Sequence, residues 1–226
     1  MTDIITSQES FKTRLDKTWE SIYLTLISIV QGVVFSYFLY QLVIYSKDFA
    51  LYNWLFSLIT FIVIVLVWHE YVTGTVAFRW SPGILDSVIP FLMGVFQIYA
   101  IEYIYIPEEK GEWFFSMYLF LMMGAIAYIN MYYKASKSNR NDKVFKALGK
   151  GLIRMSYAAP LFLSFLFYIF SFRILRYDYS NPIISNLAIF SAIIFILYVI
   201  FVSYLRQTLL KEGKLYLFII AFRRCF

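Results

Sequence analysis

Residues 58–67 read LITFIVIVLV, with one hydroxyl and no charge among them. A run like this constrains a chain more than any motif, because it leaves no face for water. A helix crossing a bilayer needs about 20 mostly apolar residues. Candidate spans fall at about 20–45, 52–78, 84–106, 113–133, 156–175 and 183–205. Soluble domains carry about 25% charged residues. This chain carries 15%, with 61% hydrophobic and 22% aromatic residues. Backbone polar groups in lipid must be satisfied within the segment, which selects helices. The expected fold class is therefore an all-α integral membrane protein, a polytopic bundle of about six transmembrane helices.

The polar segments divide the chain. Residues 1–19 form a polar N-terminal segment, in which Thr6 and Glu9 have capping-box spacing and predict a short amphipathic helix. Residues 20–133 hold four spans joined by short turns, and 134–155 form a basic loop. Residues 156–205 hold two further spans, and 206–226 form a basic tail. The tail's LYLFIIAF (215–222) is too short to cross and is expected to lie in the interface. Positive residues favour cytoplasmic loops. Lys12, Arg14 and Lys17, then Arg79, then Lys134, Lys137, Arg140, Lys143, Lys146, Lys150 and Arg154, then the tail, all fall on one side when the spans are even in number. Both termini are expected in the cytoplasm, with a bacterial inner membrane as the location. This topology accounts for most of the net charge of +6. Anionic lipid headgroups are the expected contact of the basic loop, with a cytoplasmic protein as a further expected partner, and no nucleic acid is expected.

The chemistry lies in the few polar residues placed in lipid. The stretch WHEYVTGTVAFRWSPGILD (68–86) follows the apolar run directly. Depth follows from a rise of about 1.5 Å per residue. Gln31, His69, Glu70 and Gln97 then lie about 12–20 Å from the cytoplasmic edge, in the middle of a core about 30 Å thick. Arg79, Asp86 and Asn130 form a second layer near the inner mouth. Gln41, Glu102, Arg173 and Asn186 form a third near the outer side. Glu102 and Arg173 are expected to pair, because a lone charge there is costly. His69 and Glu70 differ by about 100° around the helix, so one is expected to face the bundle centre and the other a neighbour. Gly74, one turn after Glu70, leaves room for a neighbouring helix. A carboxyl and an imidazole side by side form a usable proton relay. The competing reading is a pair satisfied by Gln31, Gln97 or a tyrosine hydroxyl, serving only helix register.

Small residues permit close helix approach in lipid. Ser28, Gly32 and Ser36 share one face of span 1, which is the expected homo-oligomer contact. Pro90 cannot donate to the carbonyl of Asp86, so a kink there exposes that residue. Tyrosines and tryptophans near the span ends, Trp113 among them, fit interfacial belts.

Several chemistries are disfavoured. HEYVT is not the zinc-protease HExxH, since the fifth residue is Thr73. With one histidine and one cysteine, Cys225, neither a His-rich metal site nor a disulfide within the chain is available. No phosphate-cradling loop or nucleophile elbow appears, and no cofactor is expected. Two functions remain open. One is an ion- or proton-conducting channel or transporter subunit using the midplane layer. The other is a non-transporting sensor or anchor, of an envelope stress, immunity or phage defence type, recruiting a partner through the basic loop and tail.

Overall fold

The computed structural model describes residues 2–80, 83–106, 109–177 and 181–211. Cys225 and the LYLFIIAF segment lie outside the described residues. The elements are α1 (Thr2–Tyr45), α2 (Leu51–Ala77), α3 (Ile84–Tyr105), α4 (Lys110–Ala135), α5 (Asp142–Tyr177) and α6 (Asn181–Lys211), with 3-10 turns at Ser46–Asp48 and Asn139–Asn141. No strand occurs among the described residues. Six helices are long and apolar enough to cross a membrane.

The expected N-terminal helix leads into the first span without a break, α1 running on from Thr2. No glycine or proline precedes Gly32, so nothing in the sequence stops it. The basic loop is mostly helix, since α5 begins at Asp142. Its apolar residues Val144, Phe145, Leu148 and Ile153 pack with Phe78 and Ala135. That spacing is a helix period hidden in a basic segment. Gly149 breaks the helix at φ 68° and ψ 158°, a conformation essentially restricted to glycine.

Neighbouring helices close a ring. α1 packs on α3, α3 on α4, α4 on α5, α5 on α6, α6 on α2 and α2 on α1, while α2 also meets α3 across the middle. At the end of the ring where α4 begins, the interior is solid aromatic packing. Phe56 stacks on Trp113 at 4.2 Å between centroids, and Phe114, Phe167 and Phe195 continue the cluster. Trp113 is thus fully buried rather than in an interfacial belt, and its indole N–H donates to Thr60 Oγ1 at 3.3 Å. Aromatic cores of this kind need their polar tips satisfied.

Close approach of α1 and α3 depends on Gly94. A Cβ there would lie 2.7 Å from Val30 Cγ1, whereas a Cβ at Gly32 meets nothing within 4 Å. Gly94→Leu is expected to destabilise the bundle by about 1–3 kcal/mol through overpacking. Gly32→Leu should leave the unfolding midpoint of the protomer in detergent unchanged. Equal midpoints for the two variants would contradict this packing.

Candidate functional site

Glu70 stands on the second half of α2, facing the inside of the ring. The Tyr128 hydroxyl of α4 donates to Glu70 Oε2, and His69 Nδ1 lies 3.3 Å from Oε1. The 100° offset therefore does not part the two neighbours, because both side chains are long enough to meet beside the helix. His69 Nε2 is buried with no partner among the described residues. Gly74 is where α4 comes closest, its Cβ position 2.9 Å from Met131 Sδ. A Cβ there would have to push the flexible end of the Met131 side chain aside.

Glu70 opens on a cavity of about 90 Å³, to which all six helices contribute. Tyr23 comes from α1, Tyr71 from α2, Asp86 from α3, Tyr128 from α4, Pro160 from α5 and Tyr198 from α6. Phe120 and Phe195 bound it towards the aromatic cluster.

Its other end is held by Asp86. This side chain is 4% exposed and accepts three hydrogen bonds. Asn130 Nδ2 donates to Oδ1 at 2.9 Å, Lys134 Nζ to Oδ2 at 2.7 Å, and the Gly83 N–H to Oδ2 at 2.7 Å. Asp86 is the third residue of α3, so the last bond caps the helix N-terminus, where negative charge is favoured. Asp86 and Asn130, expected in one layer, do meet. Lys134 was expected at lipid headgroups and instead turns inward. Asn130 and Lys134 are one turn apart on α4, so the face that carries one carries the other. Arg79 contributes its backbone to this end. Its N–H donates to Asn141 Oδ1 at 2.9 Å, and Asn141 Nδ2 donates to the Arg79 and Ala135 carbonyls at 2.6 and 2.8 Å. Asn141 was not singled out from the sequence, and it ties the α2–α3 connection to the α4–α5 connection.

The other expected midplane pair is separate. Gln31 and Gln97 exchange amide hydrogen bonds, Gln31 Nε2 to Gln97 Oε1 at 3.1 Å and Gln97 Nε2 to Gln31 Oε1 at 3.4 Å, both buried between α1 and α3. Neither side chain lines the cavity. The midplane layer therefore divides into a closed amide pair and an open carboxyl site.

Near the opposite end, Tyr37 donates to Glu102, and Gln41 Nε2 donates to Tyr37 Oη at 2.6 Å. Glu102 is partnered by Tyr37 and not by Arg173, which is exposed on α5. Asn186 is exposed on α6. Here too sits a group that the sequence reading passed over. Lys110, 1% exposed, donates to the Ile104 carbonyl at 2.5 Å and to the Tyr103 carbonyl at 3.3 Å. Its charge caps the C-terminal end of α3, where a cation is favourable. Asn53 Nδ2 shares the Ile104 carbonyl at 2.6 Å.

Lys137, Arg140, Lys143, Lys146 and Lys150 are exposed, and Lys137 Nζ lies 4.1 Å above the Tyr133 ring. Ser28, Gly32 and Ser36 are exposed on α1, outside the ring. Ser28 Oγ accepts a hydrogen bond from Trp68 at 3.3 Å.

Six helices long and apolar enough to cross a membrane give the architecture of a multi-pass helical membrane protein, and inside their ring lies a mostly apolar cavity with the Glu70 and Asp86 carboxyl groups in its wall. The chain matches no family model, no curated protein and no solved structure.

Proposed function

We propose that the protein is a small membrane transporter that carries protons or small cations by way of Glu70. The observation that carries this reading is a carboxyl group in the wall of a partly open cavity to which all six helices contribute, with an ionisable histidine beside it. Intramembrane ionisable side chains facing a cavity commonly mark ion or substrate pathways. Asp86 lines the cavity, as do Phe120 and Phe195 on the side of the aromatic cluster, and the cavity is partly open.

Proteoliposomes test this directly. With an imposed potential and a pH-sensitive dye inside, the wild-type protein is expected to move protons, and Glu70→Gln should reduce the flux to the level of empty vesicles. Glutamine keeps the shape and a hydrogen bond for Tyr128 but cannot exchange a proton. Full flux in both Glu70→Gln and His69→Ala would remove these residues from the pathway. A wild-type protein with no flux would leave the anchoring reading, in which exposed Lys137, Arg140, Lys143 and Lys146 recruit a partner.

A further inference from the structure

We infer that the cavity beside Glu70 is a binding site for a small organic ammonium ion with apolar substituents. The inference rests on the reading of this cavity as the transport site and names the class of its cargo.

Charge selects a cation. Two carboxylates line the cavity, Glu70 and Asp86. Asp86 is already matched by Lys134, Asn130 and the Gly83 N–H. The contacts of Glu70 are Tyr128, which is neutral, and His69, which is neutral in its unprotonated form. The cavity thus holds one carboxylate without a permanent counter-charge.

The lining then selects the kind of cation. Bare metal ions want six or more oxygen ligands in the case of calcium, and near-octahedral oxygen for magnesium. This wall is mostly carbon, with Val63, Ile89, Met93 and Ala127 between the aromatic rings. Aromatic faces attract ammonium groups, and cages of such rings recognise quaternary ammonium. Tyr23, Tyr71, Trp80 and Tyr198 supply rings around the space that Glu70 and Tyr128 enter. Trp80 lines the same space, and its indole N–H is buried with no partner among the described residues. Volume limits size. A cavity of 150 Å³ holds a benzene molecule. At about 90 Å³ this one fits a methylated ammonium head, with the remainder of the molecule in the opening.

Benzyltrimethylammonium and its uncharged carbon isostere, neopentylbenzene, separate charge from shape. Calorimetric titration of the purified protein in detergent is expected to show saturable binding of the cation, at least tenfold tighter than of the isostere. Glu70→Gln should weaken the cation at least tenfold and leave the isostere unchanged. Gly124→Val offers a second route that spares the carboxyl. A Cβ at Gly124 makes only an ordinary contact, 3.8 Å from Met93 Cε, so the valine fits the backbone while its methyls enter the cavity. That variant should lose both ligands. Equal binding of cation and isostere, no binding of either, or cation binding that survives both substitutions would overturn the assignment. Proton flux through Glu70 without cation binding would overturn the cargo class and leave the transport reading intact. Cation binding without flux would do the reverse.

Discussion

Lys134→Met is expected to destabilise the folded bundle by about 3 kcal/mol, the lower end of the range for breaking a buried ion pair. The lower end applies because Lys134 is 21% exposed while Asp86 is 4% exposed. Methionine keeps most of the stem's packing, so the loss isolates the charge. Asp86 would be left in the protein interior with Asn130 and one backbone N–H, which is poor compensation for a full negative charge. The pair as a whole is a different matter. Two charges withdrawn from water gain little net stability, and their joint replacement is often neutral. Asp86→Asn combined with Lys134→Met should therefore recover most of the stability lost by Lys134→Met alone. Asparagine at the third position of α3 also keeps an oxygen for the Gly83 N–H. Reversible unfolding in mixed micelles reads all three variants. A double variant that sums the two single losses would show that the charges do not interact. The consequence for function follows from position. Asp86 lines the cavity, so in proteoliposomes the double variant tests whether the pair also controls transport.

How far the sequence reveals this arrangement depends on the kind of information each feature uses. Span number and helical class are written in composition, because roughly 20 apolar residues in a row have few other fates. Depth is legible too, since a constant rise per residue places Asp86 with Asn130 and Gln31 with Gln97. Azimuth is not. Counting residues put Gln31, His69, Glu70 and Gln97 in one layer, yet Gln31 and Gln97 face each other between α1 and α3, Glu70 faces the cavity and His69 stands beside Glu70 without lining it. Nor does counting reveal reach. Lys134 lies in a basic run that reads as a surface, and only its place one turn beyond Asn130 betrays that it points inward. Tyr128 was one of many tyrosines, and its selection for Glu70 requires knowing that α4 packs over Gly74. Lys110 sits among Glu109 and Glu112, so charge patterning hides it. Its real partners are backbone carbonyls at the end of α3, which no side-chain pattern encodes. The segment 142–154 shows the opposite error. Its helix period was present in the letters, but lysines at the same spacing dominated the reading.

Gln31→Leu is expected to cost about 1–2 kcal/mol, and Gln31→Leu with Gln97→Leu close to nothing. The reasoning begins with what each amide loses. Both are buried, Gln97 completely, and each gives the other one donor and one acceptor. Removing one partner leaves the other amide without water or protein to replace it, a penalty of about 1–3 kcal/mol. Polar contacts measured between membrane helices fall at the lower end of such values, because the unfolded helices in lipid also find partners. Leucine has one side-chain heavy atom fewer than glutamine, so the double variant leaves nothing unsatisfied and only a small gap. Its stability should match the wild type within experimental error, giving a coupling between the two positions of at least 1 kcal/mol in a double-mutant cycle. Transport should be unchanged as well, because neither amide lines the cavity. Loss of flux in a stable double leucine variant would return Gln31 and Gln97 to the pathway and show that the midplane polar residues act as one layer. Retained flux would confine their role to fixing α1 against α3, where Gly94 already allows the closest approach, and leave Glu70 as the midplane group on which transport turns.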